Sequence, residues 1–246
     1  MNAKQVTNMA EILILFAGAF IAAAVSGAAG FGGALLLLPL MVHRVGAELA
    51  VPLLTITQIV GNASRIAFGW KQIQWRMSGY FLLTALPAAA VGALSFVNIP
   101  RGWLVRLIGI LLLLVVVLHT WSRWRLQPDK RGLLIGGALT GLFSGLAGSA
   151  GPLGAAVFLS LGLPPIAYLA TEATSAVALH LVKLAVYQPT LHLPVSLWSL
   201  ALWLGVAMVL GTWASRRLVE RIPPKHFRAF VTVLLVLVGL RMALLG

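Results

Sequence analysis

The chain has 246 residues, of which 60% are hydrophobic and only 9% charged, and its mean hydropathy is +0.99. Soluble domains carry about 25% charged residues, so composition excludes a soluble protein and predicts a polytopic membrane protein with no room for a soluble domain. Cysteine is absent, which excludes disulfides, thiol catalysis and thiolate-held metals. Lys and Arg outnumber Asp and Glu by 18 to 5, an excess that in a membrane chain first reflects loops facing anionic lipid. These charges are scattered over short loops and form no tract, so nucleic acid is not an expected partner.

Residues 1–11 are polar. The Ala-rich run at 12–25 mimics a signal peptide, but only Lys4 precedes it, Glu11 adjoins it, and 12–28 has a counterpart in the second half. It therefore reads as mature structure. Apolar runs predict spans at 12–28, 31–42, 49–69, 77–97 and 102–121, then at 132–148, 151–163, 165–186, 194–215 and 226–245. The second member of each opening pair has about 12 residues, or ~18 Å of helix, and need not cross the hydrocarbon layer. Most prolines, Pro39, Pro52, Pro100 and Pro189 among them, read as punctuation at span ends. Pro87 falls inside a span and should kink it.

Two Gly-rich stretches organise this series. Ser26-Gly27-Ala28-Ala29-Gly30-Phe31-Gly32-Gly33 returns 118 residues later as Ser144-Gly145-Leu146-Ala147-Gly148-Ser149-Ala150-Gly151, with serine on serine and three glycines on glycines. Ile99-Pro100 returns as Ile222-Pro223, so the two halves are a duplication. The first repeat half covers 1–126 (hairpin 12–42, then three helices) and the second 127–246 (hairpin 132–163, then three helices), within a single transmembrane domain. Glycine weakens a helix by about 1 kcal/mol per residue relative to alanine. Broken segments at matching places in two halves point to a transporter binding site. The plainer account is close helix packing through small residues.

Positive charge orients the chain. If each Gly-linked pair crosses once, Lys and Arg divide eight against eight between the two sides. If each pair turns back as a hairpin, they divide eleven against five. The biased scheme puts both termini outside. Each half then has an odd number of segments, which makes the repeats inverted.

Arg65 and Lys183 fall inside spans in either scheme, at the same repeat position. Intramembrane charges default to a functional hypothesis, although both lie within about a turn of their predicted span ends, where long basic side chains snorkel. Their neighbours favour function. Thr55, Gln58, Asn62 and Arg65 share one helical face, and Glu172, Ser175, His180 and Lys183 share a comparable one. Thr57 and Thr174 point elsewhere and read as bonded back to their own helices. Two matching polar stripes ending in a cation look like the wall of an anion path. Glu172, the carboxylate deepest in a span, is the candidate coupling group. His43, His119, His192 and His226 have no metal-ligand spacing. Tryptophans near span ends, including Trp70, Trp75, Trp103, Trp121 and Trp124, read as interfacial anchors.

The residues Gly27, Gly30, Phe31, Gly32 and Gly33, then Gly145, Gly148 and Gly151 with Thr174-Ser175 downstream, resemble the sulfite exporter TauE/SafE family of membrane permeases. The likeness extends over nearly the whole chain, with a departure from the glycine run at Ser149-Ala150-Gly151-Pro152. It implies transport of sulfite, sulfoacetate or another organosulfonate across a bacterial inner membrane.

Helix N-termini near Gly32 and Ala150 would supply bare N–H donors and partial positive charge to an anion. The expected substrate site comprises Ser26, Gly30, Gly32, Gly33, Gln58, Asn62, Arg65, Ser144, Gly148, Ser149, Gly151, Ser175, His180 and Lys183, with Glu172 for coupling. Arg65 and Lys183 would stand at the two mouths, and one half would rock against the other. No catalytic residue, metal or cofactor is expected. The expected partners are a small anion and the bilayer, and a homodimer is compatible with the chain. The competing accounts are a permease for another organic anion, a proton-coupled carrier of a cation or neutral solute using Glu172 and His180, and a non-transporting scaffold.

Overall fold

Hydrocarbon offers backbone N–H and C=O groups no partner but each other, and the long described segments are accordingly helical. The computed structural model describes residues 9–45, 47–95, 110, 113, 129–147, 150–191, 195–219 and 224–245, and no strand occurs among them. The first half supplies α1 (Met9–Ala29), α2 (Gly33–Val45), α3 (Ala47–Gly69) and α4 (Trp75–Ser95), with a 3-10 turn at Trp70–Gln72. The second supplies α5 (Lys130–Ala147), α6 (Gly151–Ser160), α7 (Pro165–Leu191), α8 (Val195–Val219) and α9 (Pro224–Leu245). Among the described residues, Met9–Ala29, Trp75–Ser95, Pro165–Tyr187 and Val195–Ser215 are long and apolar enough to cross a bilayer. The expected helix 102–121 apart from residues 110 and 113, Gly148, Ser149 and the repeated Ile-Pro pairs lie outside the described residues.

Several boundaries differ from expectation. Helix α7 runs on to Leu191, and α6 stops at Ser160. Pro39, Pro52 and Pro189 lie inside α2, α3 and α7 rather than at span ends. Pro87 lies within α4, which runs unbroken to Ser95. Membrane helices tolerate internal proline because neighbouring groups re-satisfy the freed carbonyl.

The repeated glycines divide into two kinds. Gly30 and Gly32 adopt φ of +87° and +96°, a region that L side chains avoid, and they part α1 from α2. Helix α2 then lies back along α1, with Gly33 against Ser26 and the Ala22 carbonyl, and Leu40 against Gly18. Arg44 near the end of α2 meets Glu11 near the start of α1 at 3.4 Å. Gly27 and Gly145 instead make close helix contacts. Gly27 meets Thr212 and Ser215 of α8, while Gly211 meets Phe20 and Ala23 of α1, so α1 and α8 run parallel. Gly137, Gly141 and Gly145 of α5, four residues apart, press in turn on the carbonyls of Phe81, Ala85 and Ala89 in a parallel α4.

These crossings assemble two apolar cores. One gathers Leu15 and Ala19 of α1, Leu37 and Met41 of α2, Leu53 of α3, and Leu204 and Met208 of α8. The other gathers Phe81 and Ala85 of α4, Leu133 of α5, Phe158 of α6, and Tyr168 and Leu179 of α7. Among the described residues, the first core thus draws on α1, α2 and α3 together with α8, and the second on α5, α6 and α7 together with α4 and the end of α1. The bundles meet along a seam where α3 and α7 run antiparallel, with Gly69 against Ile166 and Ala170.

Candidate functional site

The carbonyls around the break after Ala29 lie at a helix end that carries about half a negative charge, with Ser26 O also accepting from Gly30 N at 2.7 Å. Arg65 on α3 answers them. Its Nη1 donates to Gly30 O at 2.7 Å and to Ser26 O at 3.3 Å, and its Nη2 donates to Asn62 Oδ1. From the other bundle, Glu172 on α7 brings Oε2 to 3.3 Å from Arg65 Nη1. That approach is charge to charge, since Glu172 Oε2 has no hydrogen-bond partner. One turn earlier on α7, Tyr168 donates its hydroxyl to Ala29 O at 3.0 Å. Its ring fills the space beside Gly30, where an added Cβ would come within 2.6 Å of it.

A cavity of about 50 Å³, measured as space open to the centre of a water molecule, lies beside this pair. One water needs about 10–15 Å³ by that measure, so the space suits a few waters or one small oxyanion. Of the expected site residues that the structure describes, Ser26, Gly30, Gly32, Gly33, Gln58, Asn62, Arg65, Ser144, Gly151, Glu172, Ser175 and His180 all line it. Gln58 Nε2, Thr140 Oγ1, Glu172 Oε2 and His180 Nδ1, all on lining residues, are buried without hydrogen-bond partners. Buried polar groups are almost always paired, so four such atoms around one space mark a place for polar guests. The N-terminal ends of α2 and α6 also border it through Gly32, Gly33, Ala150 and Gly151. Ala150 leaves α6 without a side-chain cap. Phe81 and Phe158, 4.8 Å apart between ring centroids, form an apolar wall.

The two cations fare differently. Arg65 is 6% exposed and held by interior acceptors, which excludes snorkelling. Lys183 is fully buried at 0% exposure, but it does not line the cavity. Because α7 continues to Leu191, Lys183 stands two turns inside the helix rather than at its end. Thr55 also leaves its expected stripe and donates to Val51 O at 2.9 Å. Thr57 and Thr174 bond back to Leu53 O and Ala170 O. Trp70 and Trp75 are exposed at the α3–α4 turn, in edge-to-face contact.

Sequence reasoning missed Thr140, Tyr168 and Ser78. Thr140 precedes Ser144 by four residues and Tyr168 precedes Glu172 by four, so helical spacing put each on the face already singled out. Ser78 gave no such signal. It holds Ser175 at 2.7 Å between hydroxyl oxygens, and Gln74 N donates to Thr171 Oγ1 at 3.0 Å, tying α4 to α7.

Fold and site together define a multi-pass membrane protein with a polar cavity in the seam between two helix bundles. The sulfite exporter TauE/SafE family matches residues 15–242, and the chain belongs to that family of membrane permeases. No curated protein and no solved structure matches it.

Proposed function

We propose that the chain is a secondary transporter that carries a small sulfur-containing anion, sulfite or a compact organosulfonate such as sulfoacetate, through this cavity. The observation that carries the proposal is Arg65, a permanent cation buried at the cavity wall and faced by a carboxylate from the opposite bundle. Around it stand the hydroxyls of Ser26, Ser144, Ser175 and Thr140 and two helix N-termini, which suit an oxyanion. Glu172 acts as a tethered anion that holds Arg65 while the site is empty. A proton on Glu172 frees Arg65 for the substrate, which couples anion and proton movement. The two halves are inverted repeats. The parallel α1–α8 and α4–α5 crossings and the antiparallel α3–α7 pair support this. The same scheme places the protein in the inner membrane with both termini on the periplasmic side, and access alternates by movement of the two bundles along the seam.

Flux of radiolabelled sulfite, sulfoacetate, sulfate and matched carboxylates in proteoliposomes tests the proposal. Sulfur oxyanions should move in wild-type vesicles, and Arg65→Lys, which cannot reproduce the forked donor geometry, should lose at least tenfold in rate. Flux of none of these anions would overturn the reading, as would unchanged flux in Arg65→Lys. For coupling, Glu172→Gln should abolish the response to an imposed pH gradient. A response equal to wild type would remove Glu172 from that role.

A further inference from the structure

A second, smaller cavity of about 30 Å³ lies along the same seam. Gly27 and Thr212 border it from α1 and α8, Phe68 and Gly69 from the end of α3, and Ile166 from the start of α7. Arg65 is the residue common to both linings. Arg65 therefore lies between the polar cavity and this chamber, its guanidinium held by Ser26 O, Gly30 O and Glu172. The chamber lies toward the end of the molecule where Gly69 leads into Trp70, Lys71, Trp75 and Arg76, all exposed. Exposed aromatic and basic residues at a turn are the marks of a membrane–water interface, and positive charge marks its cytoplasmic side.

We propose that this chamber is the continuation of the transport path from the polar cavity to the cytoplasmic face, and that Arg65 is the gate between them. The inference rests on the transporter reading above. An anion in the polar cavity draws the guanidinium from Glu172 and from the α1 carbonyls, and the displaced side chain uncovers the passage between α3 and α7. The chamber beyond Arg65 holds no second charge among its described lining residues, so an anion that passes the gate meets nothing there to hold it back.

The chain contains no cysteine, so Thr212→Cys introduces a single thiol into the chamber at nearly unchanged volume. In vesicles, this variant should transport within twofold of wild type. A sulfonate-bearing methanethiosulfonate should label it faster from the side carrying Lys71 and Arg76 than from the other. Labelling should lower transport at least tenfold, and dithiothreitol should restore it. Sulfoacetate should raise the melting temperature of the unlabelled and the labelled protein alike, because the polar cavity stays open. Complete labelling by mass with unchanged transport would overturn the proposal, and so would a transporting Thr212→Cys protein that never labels during turnover. Ile166→Cys, on the opposite wall, answers the same question if Thr212→Cys fails to fold. Wild-type vesicles that move no anion would sink the transporter reading, and the gate with it, whatever the labelling pattern.

Discussion

At the scale of single residues, Arg65 combines two tasks that usually fall to different groups. It caps a helix end broken by glycine, and it balances a carboxylate from the facing bundle. Removing one member of a buried pair leaves the other charged and unpaired, at a cost of about 3–5 kcal/mol. Arg65→Met should destabilise the detergent-solubilised protein by that order, and Arg65→Met combined with Glu172→Gln should recover most of the loss. Chemical denaturation of the two single variants and the double variant measures the coupling, and strictly additive losses would show that the two side chains do not act as a pair. Tyr168→Phe, which removes only the hydroxyl bond to Ala29 O, should cost about 0.5–1.5 kcal/mol by the same measurement. The polar face of α3 was legible in the sequence because Gln58, Asn62 and Arg65 repeat at helical spacing. The meeting of Arg65 with Glu172 was not, since nothing local to either residue encodes a contact between helices from different halves. Lys183 was placed beside Arg65 by the repeat alone. Its repeat position matches that of Arg65, but in the structure it is buried without lining the cavity.

At the scale of elements, the glycines of the first Gly-rich stretch are of two kinds. Gly30 and Gly32 break the chain through their backbone angles, whereas Gly27, like Gly145 of the second stretch, lets helices touch. Composition cannot separate them, because both kinds fall in one short stretch. The α4–α5 crossing offers a sharp contrast in sign. An added Cβ at Gly141 would run into the Ala85 carbonyl, while nothing lies within 4 Å of one added at Gly79. Gly141→Ala should therefore destabilise by about 1–3 kcal/mol through overpacking. Gly79→Ala should stabilise by about 0.5–1 kcal/mol through helix propensity. Melting temperatures of the two variants should move in opposite directions from wild type, and a shared direction would mean that the crossing is looser than described.

At the scale of the whole molecule, hydropathy made the membrane class legible from the sequence, and the Gly-rich stretches made the family legible. Grouping into bundles was not. Hydropathy says that a helix face avoids water, but it does not say which helix covers it. The direction of the chain can be checked with single thiols at charged ends. Arg44→Cys, near the end of α2, and Lys71→Cys, just after α3, flank α3 on its two sides, and an impermeant maleimide should reach them from opposite sides of the membrane. Labelling of both from one side would refute the orientation. The exchange of α4 and α8 between the two cores also sets an order on biogenesis. When α1, α2 and α3 leave the ribosome, the glycine face of α1 has no mate, and its partner α8 is synthesised only after α4 through α7. The first bundle to be synthesised is thus the last to be completed. Until α8 is inserted, a lipid, an insertase or a chaperone must shield that face, so a nascent chain stalled before α8 should be the form most exposed to membrane quality-control proteases.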